Sequence, residues 1–431
     1  MGDLSSSRPS SADSITTAVL PNLDLIIRGL LYLYIFALPF KRLLFIERNG
    51  FIILLVLLVL WCVVNRRHFF VRTPVDLPLI VLVVWVGISV PFATFPAYSF
   101  KEFGKLLQQG MIFYVVVYFL RDAKDRVRLL ALLVGSLAVV SLCGVWEFEA
   151  KPWMGQFAPG SRAYFLIESF LPAEIWLTTY LVTLIPLSAA VAVYAAVRWQ
   201  RVSAGITTGL AILCQLLTFS RAGLLALLAE AVVFAILVRK KAVTILIVGL
   251  ILASVAAVAV LVVIDKHKSI PFIPGQVKFT AYNLEARLNV WRFALPKMLE
   301  HPLVGIGYGK DNFYIVTKEE QKRLTDETNM IMAAGLHNTF LDMAVGAGLP
   351  AGFAYIWLMW AIARAGLERF RSESHQLLRA WPLALVILVV GLFIRNCFDH
   401  MWIGTMALLF WVMVGLSVQP MRSSAKGVSS S

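Results

Sequence analysis

Apolar runs of roughly 15 to 25 residues recur from residue 24 to residue 418, the length a helix needs to cross about 30 Å of hydrocarbon. Short polar segments separate them. Stretches such as 51-FIILLVLLVLWCVV-64 and 243-VTILIVGLILASVAAVAVLVVI-264 are apolar on every face, unlike the alternating strands of a membrane barrel. The pattern predicts twelve helices, near 24–40, 51–64, 77–94, 104–120, 129–146, 174–197, 203–219, 224–238, 243–264, 338–363, 381–395 and 402–418. The expected fold is an all-α polytopic membrane protein with no internal repeat. Its expected parts are a tail at 1–23, helices over 24–264, a long loop at 265–337, helices over 338–418 and a tail at 419–431.

Only the loop 265–337 is of domain-like size. Within it, Leu284, Leu288, Trp291, Leu295 and Leu299 fall three or four apart, which predicts an amphipathic helix with that apolar stripe as its face. His301-Pro302 ends the helix, 305-GIGYG-309 reads as a turn, and 317-TKEEQKRLTDETNM-330 suits a second, solvated helix.

Composition agrees with a bilayer setting: 59% of the 431 residues are hydrophobic and only 15% are charged. The net charge of +14 changes the picture in one respect. Its basic residues are spread over the segments 66–72, 121–128, 198–201, 239–241 and 364–379, not gathered in a patch, which argues against a nucleic-acid partner. Alternating helices from a cytoplasmic start puts all five segments on the cytoplasmic side, with the loop 265–337 outside. Cys62, Cys143, Cys214 and Cys397 lack CxxC spacing and read as packing residues. The Ser-rich N-terminus has no cleavable apolar region, so the first helix is expected to stay as an anchor.

Several outward residues carry candidate chemistry. Arg221 lies in 218-TFSRAG-223 between two apolar runs. If Ser220 caps the following helix, free N–H groups and a guanidinium form an anion site; an arginine snorkelling to the interface fits equally well. Arg287 sits beside the apolar stripe of the loop helix, open to an anion or to an ion pair with Glu285 or Glu300. His337 stands where the loop re-enters the membrane, as a general base or as a structural residue, and Asn338 after it is placed to cap a helix. Arg395 and Asp399 occupy an outer turn, where they pair with each other or complete the site. Glu230 lies mid-helix, where a carboxylate is costly enough to count as functional. No D-x-D pair occurs in an outward segment, so a divalent metal has no evident ligands there, and Gly305, Gly307 and Gly309 match neither a Walker loop nor a dinucleotide fingerprint.

Taken in order, SRAG at 220–223, RLNVWRFALPKMLEHPLVGIGYG at 287–309 and HNTFLDMAVGAGLPA at 337–351 resemble the O-antigen ligase family, within a superfamily that includes O-antigen polymerases and protein O-oligosaccharyltransferases. The resemblance covers most of the chain. It implies a GT-C-like fold in the inner membrane of a Gram-negative bacterium and a metal-independent, inverting glycosyltransferase without cofactors. Such an enzyme moves a polysaccharide from undecaprenyl pyrophosphate to the lipid A-core, at the periplasmic face. It further implies pyrophosphate-binding roles for Arg221 and Arg287, a catalytic role for His337, and supporting roles for Asn338 and Asp399. A polymerase, in which the acceptor is also polyprenyl-linked, and a protein O-oligosaccharyltransferase are the alternatives within that superfamily. From another class, a lipid or sugar transporter would use Arg221 and Glu230 to line a path.

Overall fold

The computed structural model of the chain describes residues 11–150, 169–171, 174–218, 220–241, 245, 272–320, 335–398 and 404–419. These residues form helices and connecting turns, with no strand among them. In order the helices are α1 Ser11–Ala37, α2 Leu44–Asn65, α3 Asp76–Ser89, α4 Pro96–Phe119, α5 Ala123–Ala150, α6 Glu174–Tyr194, α7 Arg198–Leu217 and α8 Arg221–Val238. They continue with α9 Phe272–Glu300, α10 Asn312–Val316, α11 Thr339–Ala347, α12 Leu349–Ser372, α13 Ala380–Asn396 and α14 Gly404–Ser417. The expected helix at 243–264, most of the expected solvated helix at 317–330 and Asp399 lie outside the described residues.

Five stretches among the described residues are long and apolar enough to cross a membrane: Lys41–Asn65, Ala123–Phe148, Trp176–Tyr194, Arg221–Val238 and Leu377–Asn396. Their burial differs, and the difference sets the architecture. On α2 the side chains of Ile52, Ile53, Val56, Val59, Leu60 and Val63 are exposed, an apolar surface far too continuous for water and suited to lipid. By contrast, α13 is buried almost all round and packs against α6, α8 and α12. It is the central post of the bundle. Around it α5 packs on α7, α14 on α4 and α3 on α12.

The basic segments converge at one end. The Trp381 indole donates to the Arg126 carbonyl at 3.3 Å, Arg126 lies 3.7 Å from Glu373, and Lys240 donates to the Val193 carbonyl at 3.3 Å. With Arg379 and Lys240 both set against the Tyr194 ring, and Arg201 donating to the carbonyl of the adjacent Ala195, four of the five segments picked out by charge are joined. The segment 66–72 reaches the same end through Phe70, whose ring packs 5.1 Å from Tyr114 near the end of α4.

One expected helix is broken. The run 338–363 is two helices, α11 and α12, hinged at Gly348 with φ 90 and ψ 164, a region that in practice only glycine occupies. The break leaves α11 carbonyls without helical donors, and the segment 305-GIGYG-309 supplies them: Ile306 N–H donates to Val345 O at 3.0 Å and Gly307 N–H to Gly346 O at 2.9 Å. On its other edge Ile306 O accepts from Thr94 N–H at 3.0 Å, so this segment is a clamp between the end of α11 and the connection that leads into α4, not the free turn expected of it. A Cβ on Gly348 would run into the Leu303 carbonyl oxygen. Gly348→Ala is therefore expected to cost at least about 3 kcal/mol, from backbone strain plus the clash, and to lower the melting temperature of the detergent-purified protein.

Candidate functional site

The SRAG turn is built from hydrogen bonds that begin one helix earlier. Gln215, fully buried on α7, donates to Thr218 Oγ1 at 3.1 Å, and Thr218 Oγ1 accepts from Ser220 N–H at 3.3 Å. Ser220 Oγ then accepts from Gly223 N–H at 3.3 Å, the cap expected from sequence. Gly223 is required because a Cβ there would strike Gln215 and Thr178, so a larger residue would push α8 off α7 and α6. This packing leaves Arg221 exposed as the first residue of α8, beside the positive end of its helix dipole.

Across from it stands α9. Its inward face is not the leucine stripe: Ala286, Val290 and Ala294 are buried, whereas Leu288, Leu295 and Leu299 are exposed. Small residues four apart let the helix backbone approach closely, and Val290 and Ala294 share a separate small core with Ile306, Phe313, Leu336 and Val345. Arg287 lies next to this inward face, half-buried, and its charge acts on Arg221. Two guanidiniums far apart in sequence are thus brought close enough to repel. An anion between them would remove that repulsion, and guanidinium geometry favours phosphate oxygens.

One turn beyond Arg287 on α9, the Trp291 indole donates to the Leu336 carbonyl at 2.8 Å. Leu336 immediately precedes His337, which adopts the left-handed conformation at φ 50. Asn338 follows and caps α11, its Oδ1 accepting from Leu341 N–H at 3.0 Å. His337 is therefore fixed on both sides, by the helix that carries Arg287 and by the head of α11. Sequence periodicity puts Trp291 in a packing stripe and does not show this bond. The available signal was that a partly buried indole N–H needs an acceptor.

Beside the His337–Asn338 corner an open, mostly apolar cleft of about 370 Å³ runs between α9 and α11–α12, lined by Trp291, Leu295, Phe340, Phe353 and Ile356, with Asn338 among its polar positions. Beneath it, the Phe340 ring packs 5.5 Å from Tyr355 and 5.0 Å from Phe393, and Asn396 donates to the Tyr355 hydroxyl at 2.7 Å. Arg395 is not in a surface turn: it is 1% exposed near the end of α13 and acts electrostatically on Glu230, itself 2% exposed on α8. Glu230 fits there because Gly391 has no side chain; a Cβ would collide with Oε1.

The bundle and this corner together define a helical membrane protein with paired arginines, a pinned histidine and an apolar cleft at one end. Residues 206–356, about a third of the chain and inclusive of Arg221, Arg287 and His337, match the family model described as O-antigen ligase. The match supports membership of the O-antigen ligase/polymerase superfamily, whose members are glycosyltransferase-like enzymes of lipopolysaccharide synthesis acting on lipid-linked polysaccharides. No curated protein sequence matches the chain.

Because the Trp291 bond holds the residue before His337, Trp291→Phe should keep the ring packing yet cost about 1 kcal/mol. Amide hydrogen exchange should quicken at residues 335–338 while α13 stays as slow as in the unaltered protein. Unchanged exchange at 335–338 would show that the bond does not hold the corner.

Proposed function

We propose that this chain is an O-antigen ligase, transferring O-antigen polysaccharide from undecaprenyl pyrophosphate to the lipid A-core at the periplasmic face of the inner membrane. The observation that carries this reading is the meeting of Arg221 and Arg287 at the end of the bundle opposite the basic segments. With the basic end in the cytoplasm, the paired arginines face the periplasm. The twelve-span, GT-C-like architecture, with the domain limits given above, belongs to the same proposal.

The chemistry follows from the parts. The donor pyrophosphate binds between Arg221 and Arg287, and its polyprenyl chain stays in the bilayer, with the apolar cleft beside Asn338 as the place for hydrocarbon next to the head group. His337 orients the acceptor sugar hydroxyl and takes its proton as the oxygen attacks the anomeric carbon. The bond from that carbon to pyrophosphate breaks, the pyrophosphate leaves with the electron pair, and the two guanidiniums hold its growing charge. A single displacement inverts the anomeric configuration. No step is assigned to a metal or cofactor. Asn338 keeps His337 in place by capping α11, and Asp399 is retained as a supporting acid.

The test mixes purified protein, polyprenyl-pyrophosphate oligosaccharide and lipid A-core, with no added metal, and follows the joined product. Arg221→Ala and Arg287→Ala are each expected to lower turnover by about 10²–10³-fold. His337→Ala should lower it by about 10²-fold or more, without exceeding the arginine effect, since pyrophosphate already leaves readily. Normal turnover in all three variants would remove the site assignment. Transfer to a second polyprenyl-linked chain in preference to lipid A-core would make the protein a polymerase, and acceptance by a protein would make it an oligosaccharyltransferase. Substrate movement without bond formation would make it a transporter.

A further inference from the structure

The turn that follows the GIGYG clamp is built as firmly as the clamp itself, and the reaction above makes no use of it. Gly309, at φ 129, is crowded: a Cβ there would fall 2.6 Å from the Tyr98 ring and 2.7 Å from Glu102 Cγ, so the turn lies flush on the first turns of α4. The side chain of the buried Asn312 donates to Ser99 Oγ at 2.9 Å, and its backbone N–H donates to Gly309 O at 3.1 Å. The Tyr98 hydroxyl accepts from Asp311 N–H at 3.2 Å and donates to Asp311 Oδ2 at 3.1 Å. One helix thus holds residues 309–312 in a single shape.

That turn carries a cation and an acid to the edge of the corner. Lys310 is half-buried and Asp311 is exposed. The stem of Lys310 runs alongside Gly335: a Cβ on that glycine would lie 3.6 Å from Lys310 Cγ and 3.8 Å from its Cε. Gly335, at φ 102, comes two residues before His337. Next to the turn on α4, Lys105 binds Glu102 at 2.6 Å, so the surface alternates hydrogen-bond donors and acceptors.

The mixed signs narrow the occupant. A phosphate drawn to Lys310 also meets the Asp311 carboxylate, and a divalent cation drawn to Asp311 also meets the Lys310 ammonium, so a simple ion gains little. A sugar suits both at once, because a hydroxyl accepts from an ammonium and donates to a carboxylate. Phe92, Phe95 and Phe100, around the start of α4, are exposed and suit acyl chains, so the sugar that reaches this surface is one carried by a lipid. We infer that Lys310 and Asp311 form the subsite for the acceptor sugar, holding its ring hydroxyls so that the one to be glycosylated lies at His337. The donor is placed elsewhere, its pyrophosphate at Arg221 and Arg287 and its hydrocarbon in the cleft between α9 and α11–α12. Tyr98 is a positioning residue that acts through Asp311. The inference rests on the glycosyl-transfer reading above and adds to it the residues that select the acceptor.

Native mass spectrometry of the full-length protein in detergent tests it by comparing lipid A-core with lipid A, which keeps the acyl anchor and phosphates but lacks the core sugars. The core-bearing lipid should bind about 25-fold more tightly, at about fivefold for each charged group that bonds a hydroxyl. Lys310→Gln and Asp311→Asn should each remove about fivefold of that preference and leave lipid A binding unchanged. In turnover each should raise KM for lipid A-core about fivefold while kcat and the donor KM hold, and Lys310→Arg should restore the lower KM. A preference that persists in both variants overturns the subsite, and so does a variant that loses lipid A binding or kcat along with the preference, since that is the mark of a purely structural turn. If the unaltered protein forms no joined product yet shows a preference that the variants lose, the sugar site stands and the ligase reading falls.

Discussion

Where hydrocarbon surrounds a protein, a backbone carbonyl released from a helix has no water to turn to, so a buried break needs donors from elsewhere in the chain. The break at Gly348 sets that requirement, and Ile306 and Gly307 meet it. Much else depends on this zipper. It fixes the start of the outer connection against the end of α11, while the cap at Asn338 fixes its last residues against the start of the same helix. A nine-residue helix is thus gripped at both ends, and His337 rides on it. The Thr94 bond on the other edge of Ile306 extends the grip to the connection between α3 and α4.

A second constraint is electrostatic. The fold brings Arg221 and Arg287 within reach of each other's fields. The two arginines stand on different footings. Arg221 is set by a relay of hydrogen bonds from Gln215 through Thr218 and Ser220, at the head of a rigid helix. Arg287 belongs to a helix packed through small side chains, Ala286, Val290 and Ala294, which permit close approach.

Local chemistry was legible in the sequence; long-range partnership was not. The Ser220 and Asn338 caps follow from residue type and position, and the charge pattern picked out the segments that gather at one end. Helix positions also followed, because runs such as 381–395 have no other stable form in lipid. The broken helix did not, since Gly348 inside an apolar run resembles any tolerated glycine until Leu303 is known to press against it. The leucine stripe of α9 misled for a related reason: periodicity finds an apolar face, but in a membrane protein the apolar face can be the outer one, with small residues marking the packed side. Asp399 lies outside the described residues, so its place in the site rests on sequence resemblance alone.

Glu230 and Arg395 show how the two halves of the corner are held in register. The Arg395 charge acts on the buried Glu230 carboxylate, whose two oxygens accept no hydrogen bond, so the attraction works against a large desolvation cost. That attraction selects an arrangement more than it strengthens one. Side chains on a helix lean toward its N-terminus, so Arg395 covers the turn below it, where Gly391 leaves room for the Glu230 carboxylate. Sliding α8 along α13 by one turn would take the carboxylate out of the space left by Gly391 and away from that charge. Because α8 carries Arg221 at its head, the register set deep in the bundle becomes the height of a guanidinium at the surface. From the other side, Asn396 on α13 holds Tyr355, whose ring meets Phe340 three residues after His337. Arginine and histidine are thereby referenced to the same central helix, which sets the geometry of the corner.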